Sequence, residues 1–255
     1  MLAPSTRLLA RSIARLWPTQ PRVARQLLRF LSFGLSEHVA LRTVAIDQYV
    51  TQAVRDGITQ VVVLGAGFDA RAFRLAELET VKVFEVDHGA TQAHKRRVLA
   101  DTQLLSTAAR PVFVPVDFAR DSLEHALLSQ QFAPQHRTLW IMEGVSMYLS
   151  RQALQATLAT VAKLSAAQSC FVFTYVSPEA VSQWSQSRAG VDFVSRAIGE
   201  RLQGLLTRAE AHELLHSSGW QLAQDEDTRE LAARLAHAVP PSSVWIRERV
   251  AWAHR

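Results

Sequence analysis

Four short stretches of this sequence place chemically capable residues directly after apolar runs. Gly65-Ala66-Gly67-Phe68-Asp69-Ala70 follows Val61-Val62-Val63-Leu64, and Asp87 closes Val83-Phe84-Glu85-Val86. Asp117-Phe118 follows the run from Val112 to Val116, and Glu143-Gly144 follows the run from Leu139 to Met142. Glycines at a strand-to-helix turn let a nucleotide approach the backbone, and an acid about 20 residues further on can accept from both ribose hydroxyls. Asp87 lies twenty residues after Gly67. Asp117 can offer a carboxylate to an adenine amino group, and Phe118 an aromatic face to its ring. Alone, each feature has a plain reading: a tight turn, an N-cap at Asp87, loop acids facing water. Ligands of open parallel sheets bind outside the carboxyl ends of the strands, so four such ends bearing Gly, Asp, Asp and Glu converge on one crevice.

Two cofactors satisfy this pattern. Gly65, Gly67 and Ala70 fit the dinucleotide fingerprint GxGxx[GA], while S-adenosylmethionine needs the same ribose carboxylate. A pyrophosphate favours a helix N-terminus free of acids, whereas Asp69 sets a carboxylate in the first turn. S-adenosylmethionine carries no phosphate, and its sulfonium and ammonium suit acids such as Asp69 and Glu143. The charge argument therefore favours S-adenosylmethionine. The alternatives are an NAD(P)-dependent oxidoreductase and a non-catalytic cofactor-binding interaction protein.

A competing motif, His212-Glu213-Leu214-Leu215-His216-Ser217-Ser218-Gly219, matches the HExxHxxG zinc-peptidase signature. A catalytic zinc needs three protein ligands, and the third expected position is Leu222. The segment reads instead as a helix burying Ala211, Leu214 and Leu215, with His212 and His216 solvated and no metal bound. The single cysteine, Cys170, excludes an internal disulfide and reads as a core thiol amid Phe171, Val172 and Phe173.

The elements that must position these residues follow from periodicity. Short apolar runs at 61–64, 81–86, 112–116, 139–142 and 170–176 alternate with helix-like stretches near 69–77, 89–101, 120–130 and 150–166. That alternation predicts βαβ units around a parallel sheet buried on both faces. Val39, Thr43, Ile46 and Val50 form one helical stripe ending at Gly57, the last part of an N-terminal helical cap over 1–57. Residues 178–205 read as a helical insertion over one end of the sheet. Thr207 and Glu210 form a capping box with Leu206 and Ala211 as its staple, and that helix runs to Gly219. Two last strands are expected near 220–224 and 243–252. The predicted architecture is a single α/β domain over 1–255 with a doubly wound, seven-stranded, mostly parallel sheet.

The net charge of +5 and the pI near 10.0 raise the question of nucleic acid. Six arginines and no acid lie in residues 1–36, leaving 22 basic against 23 acidic residues beyond. A neutral body does not suit a duplex-binding surface, so no nucleic-acid partner is expected. The Arg-rich start fits either a transit peptide or an amphipathic helical layer, and the breaks at Pro18 and Pro21 favour the layer. No run approaches the roughly 18 apolar residues of a spanning helix. A soluble, cytoplasmic protein without a membrane partner is expected.

Four ordered runs carry a further likeness: Gln60 to Leu75, Phe84 to Asp87, Val116 to Phe118 and Trp140 to Leu149. They resemble the leucine carboxyl methyltransferase family, in its bacterial branch acting on polyketide acids and other small molecules. The resemblance is close over about 38–176 and looser from Leu206 to Trp220. It implies a class I methyltransferase-like fold and bound S-adenosylmethionine. Arg42 would hold the methionyl carboxylate, with Gly65 and Gly67 against the methionine portion. Asp87 would take the ribose, Asp117 and Phe118 would surround the adenine, and Glu143 would lie near the amino group. Ala70 stands where Thr is usual, and the N-terminus is compact. Methyl transfer to an oxygen of a small-molecule acceptor follows, most simply to a carboxylate, which is ionised at neutral pH and needs no general base. Tyr148 and the 178–205 insertion are the expected acceptor-facing elements. No catalytic base is named, and the acceptor and oligomeric state stay open.

Overall fold

The computed structural model describes residues 35–101, 111–177, 203–235 and 248–255. The apolar runs become seven strands: β1 (Gln60–Leu64), β2 (Lys82–Asp87), β3 (Val112–Pro115), β4 (Thr138–Met142), β5 (Cys170–Val176), β6 (Gln221–Asp227) and β7 (Glu248–His254). They form one sheet in the order β3-β2-β1-β4-β5-β7-β6. The first five are mutually parallel, and β7 runs antiparallel between β5 and β6. Every residue of β1, β4 and β5 is buried, as expected where helices cover both faces.

The described helices are α1 (Leu35–Arg55), α2 (Arg71–Arg74), α3 (Gly89–Asp101), α4 (Leu123–Ser129), α5 (Arg151–Lys163), α6 (Arg208–Ser217) and α7 (Thr228–Arg234). Side chains alternate across the sheet, so two cores arise. Val62, Phe84, Trp140 and Phe171 pack with Leu127 of α4, Leu158 of α5 and Leu215 of α6. Val61, Val63, Leu139 and Val172 pack with Ile46 of α1 and Leu231 of α7. Leu64 of β1 faces Val86 on one side and Met142 on the other, and the strand order reverses there. That reversal opens the crevice where such sheets bind ligands.

Several expectations needed correction. The helix over 69–77 is the four-residue α2 followed by a 3-10 turn, Ala76–Leu78, because Leu75 adopts an extended conformation between them. On α1, Ile46 and Val50 are buried but Val39 is 39% exposed; Leu41, Ala45 and Tyr49 take its place on the buried face. A polar residue, His38, is buried there too, for reasons given below. β6 extends to Asp227, and α7, which apolar periodicity did not reveal, begins at once behind an Asp227–Glu230 capping box. The last strand starts at Glu248, and 236–247 lie outside the described residues.

The Thr207–Glu210 capping box is present, and Gly219 ends the helix at φ +80°. Of the proposed cap, residues 1–34 lie outside the described residues, as do 178–202 of the proposed insertion. The described end of that insertion bonds across the sheet end: Gln203 and Gly204 amides donate to Met147 O, and Leu206 N to Val176 O. Among the described residues, no helix is long and apolar enough to cross a membrane.

Candidate functional site

The turn after β1 is built from backbone that only glycine adopts readily. Gly65 has φ +67° and Gly67 φ +46°. A Cβ on Gly65 would stand 2.2 Å from Val145 Cγ2, so the turn can press against the loop after β4 only without a side chain there. The amides of Gly65 and Ala66 both donate to Val86 O, at 2.8 and 3.0 Å. Asp87 then completes the turn: its Oδ2 accepts from Gly67 N at 2.5 Å and its Oδ1 from His88 N at 2.6 Å. Each carboxylate oxygen keeps a second lone pair for a ligand hydroxyl. From behind, buried Lys95 donates to Asp69 O and to Glu85, both at 2.6 Å. Burial pushes the Glu85 carboxyl up to about 7, against the pull of Lys95.

Beside this turn lies a cleft of about 340 Å³, lined by Arg42, Gly65, Gly67, Glu143 and Arg71 among others. It falls within the usual size range of small-ligand sites. Glu143, at the end of β4, sits between two guanidinium groups. Arg42 Nε donates to its Oε1 at 2.7 Å and Arg71 Nη1 to its Oε2 at 2.6 Å. Arg71 is further held by Asp69 at 2.5 Å and by Asp47 at 2.9 Å. Arg42 also donates through Nη1 to Glu248, the first residue of β7. Burial disfavours both charges, yet the carboxylates around Arg42 and Arg71 hold each guanidinium above the ordinary arginine range. The cleft wall is thus a chain of alternating charges.

Of the residues anticipated from sequence, the cleft gathers Arg42, Gly65, Gly67 and Glu143, and Asp87 joins them through Gly67. Asp117 and Phe118 lie outside its lining: Asp117 Oδ1 accepts from Ala119 N at 3.0 Å in a local turn, and Phe118 packs against the core. Tyr148 is also outside, packed in a small cluster with Met147, Val176 and Leu205. Arg71, Lys95, His38 and Glu248 escaped the sequence reading. Arg71 carried a signal, standing four residues after Gly67, whereas the other three are defined by partners on distant elements.

His212 is partly solvated, its side chain 35% exposed, but it is also paired. Its Nε2 lies 2.6 Å from the Oδ2 of Asp225, a carboxylate also held by Tyr175, Arg208 and Arg249. Burial opposes the charge of Asp225, but these donors, His212 first, keep its carboxyl below the usual range. His216 is exposed, and no metal-binding cluster of His, Cys, Asp or Glu occurs among the described residues. Cys170 is buried, which pushes its thiol up to about 11.

The profile of the leucine carboxyl methyltransferase family matches residues 8–162, more than half of the chain. The chain belongs to that family. A proposed S-adenosyl-L-methionine-dependent methyltransferase of Frankia alni is 34% identical over 73% of this chain and 57% of its own length. Another from Mycobacterium bovis BCG is 32% identical over 82% of this chain and 67% of its own. The chain thus spans roughly half to two thirds of the curated relatives it matches.

Among solved structures, magnesium protoporphyrin IX methyltransferase from Synechocystis superposes with a TM-score of 0.57 at 16% identity, covering 96% of this chain and 98% of that one. The 1,6-didemethyltoxoflavin-N1-methyltransferase of Burkholderia thailandensis gives 0.53 at 15% identity, covering 100% and 91%. At such identities these structures establish the fold alone, that of class I methyltransferases.

Proposed function

We propose that this family member binds S-adenosylmethionine in the cleft and transfers its methyl group to an oxygen of a small-molecule acceptor, most simply a carboxylate. One observation carries the reading: Arg42 and Glu143 stand side by side at 2.7 Å in the same cleft as the Asp87-tethered glycine turn. An adjacent cation and anion complement the carboxylate and ammonium of an amino-acid zwitterion, while Asp87 can accept from ribose hydroxyls. In this reading Arg42 takes the carboxylate, Glu143 the ammonium, Gly65 and Gly67 the backbone approach, and Asp117 with Phe118 the adenine edge. The relatives' names and the ligand named with the Synechocystis enzyme, S-adenosylhomocysteine, support it.

A dinucleotide suits the site less well. The helix after the glycine turn has four residues, too few for a useful macrodipole, and Asp69 stands at its start. When bound, S-adenosylmethionine supplies an electrophilic methyl on a sulfonium leaving group. The chain's own part is to bind, align and keep water from the reacting atoms. No titratable base is required of it for an ionised carboxylate. Fold alone does not choose the acceptor atom, since named neighbours include an N1-methyltransferase and a 7-O-methyltransferase. The carboxylate choice leans on the family's description. Tyr148 and the 178–205 segment are our acceptor-facing candidates, and we read the whole chain as one domain.

Calorimetric titration with S-adenosylhomocysteine and NADH tests the cofactor, and a radiolabelled methyl-transfer screen over carboxylic acids and phenols tests the acceptor. Alkali-labile label on carboxylic acids is expected. Binding of NADH alone turns the assignment to an oxidoreductase, and cofactor binding without transfer to any acceptor turns it to an interaction protein.

A further inference from the structure

We propose that Glu248, backed by His38, is the positioning residue that orients Arg42 toward the carboxylate of the cofactor's amino-acid end. The inference rests on the cofactor reading above. His38 and Arg42 lie one turn apart on α1 and so present the same face. Both meet one oxygen, Glu248 Oε2: Arg42 through Nη1, and His38 through Nε2 at 2.6 Å. The other imidazole nitrogen, Nδ1, lies 2.8 Å from the Thr228 hydroxyl, which sets the plane of the ring. Glu248 and His38 are both buried.

Stability alone does not account for this arrangement. A buried ion pair is commonly no better than a well-packed apolar pair, so the pairing by itself is no stability device. What the arrangement achieves is directional. Nη1 of Arg42 is committed to Glu248 and Nε to Glu143, while Nη2 bonds no described residue. Nη2 lies beside Gly144, where even a Cβ would stand 3.7 Å away. The guanidinium therefore has two edges fixed by the fold and one left for a ligand oxygen. Burial opposes the Glu248 charge, but Arg42 and the His38 N–H hold the carboxyl down to about 2, so the anchor is charged whenever the protein is folded near neutral pH.

The test compares S-adenosylhomocysteine with 5′-methylthioadenosine, which shares its adenosine but lacks the amino-acid end. Calorimetry on the full chain is run for wild type, Arg42→Ala, Glu248→Gln, His38→Leu and His38→Gln, each checked for cooperative melting. Glu248→Gln keeps the shape and loses the charge; it should lose about tenfold in S-adenosylhomocysteine affinity and stay within about twofold for methylthioadenosine. His38→Leu should show the same selective loss, and His38→Gln, whose amide can still donate to Glu248, should recover most of it. This His38 pair carries the test if Glu248→Gln does not fold. A merely structural role moves the melting temperature but not the ratio of the two affinities. The inference is overturned if Arg42→Ala shows the selective loss while Glu248→Gln and His38→Leu bind S-adenosylhomocysteine like wild type, or if they lose both ligands in parallel. Failure of folded wild type to bind S-adenosylhomocysteine overturns the cofactor reading itself, and this inference with it.

Discussion

The Asp87 carboxylate holds the Gly67 amide at 2.5 Å, tying the C-terminal end of β2 to the turn that follows β1. Two motifs twenty residues apart in sequence thus share one hydrogen bond, and the acid we propose for the ribose also shapes the glycine turn.

Asp87→Ala should therefore weaken S-adenosylhomocysteine binding at least tenfold, since each lost hydrogen bond to a charged acceptor is worth roughly 1.5–3 kcal/mol. Asp87→Asn retains one acceptor oxygen and should fall between wild type and Ala. Calorimetry reads both, and unchanged affinity in the Ala variant removes Asp87 from the site.

Gly65→Ala should cost about 1–3 kcal/mol of stability, combining a left-handed backbone with a clash against Val145. Gly219→Ala provides the control: its φ is +80°, but nothing lies within 4 Å of its added Cβ. It should cost only about 1 kcal/mol. Urea midpoints compare the two, and equal losses would show that the approach of Val145 does not matter.

Replacing both His212 and His216 by Gln should leave cofactor affinity intact and yield protein without stoichiometric zinc before or after the change. The His212–Asp225 contact now adds a stability term, about 1 kcal/mol, because three other donors still hold Asp225. Metal analysis and melting curves check this. One zinc per chain, lost with binding in the double variant, would bring the HExxH segment back into the function.

Two buried glutamates should give stability opposite pH limbs. Glu248 is depressed from 4.5 to about 2, so its contribution is present above 4.5 and lost as pH falls toward 2. Glu85 is raised from 4.5 to about 7, so its contribution is present below 4.5 and lost as pH rises through 7. Urea unfolding at about pH 3, 5 and 8 should be hardest near the middle value. Glu85→Gln should flatten the limb between the upper two. A wild-type stability that climbs steadily to pH 8 would contradict the assignment for Glu85.

What the sequence by itself determined was local. A strand buried on both faces is mostly apolar, so β1, β4 and β5 announced themselves, and the apolar residues of β2 and of the edge strand β3 sufficed to mark them too; the residues that end these parallel strands necessarily fall at one edge of the sheet. Gly65, Gly67, Asp87 and Glu143 were legible for that reason. The α7 helix was missed although Asp227 and Glu230 spell its cap, because only one short apolar turn follows. The partners of Arg42 were decided by tertiary structure alone: Glu143 lies 101 residues away and Glu248 206 residues away. His38 likewise reads as an ordinary helix residue until β7 arrives. Strand order sets these meetings, since β7 enters antiparallel between β5 and β6 and brings its first residue, Glu248, to the ligand end of the sheet. Hydrophobic periodicity reports which face of an element is buried, but it carries no term for which distant carboxylate will meet a buried guanidinium.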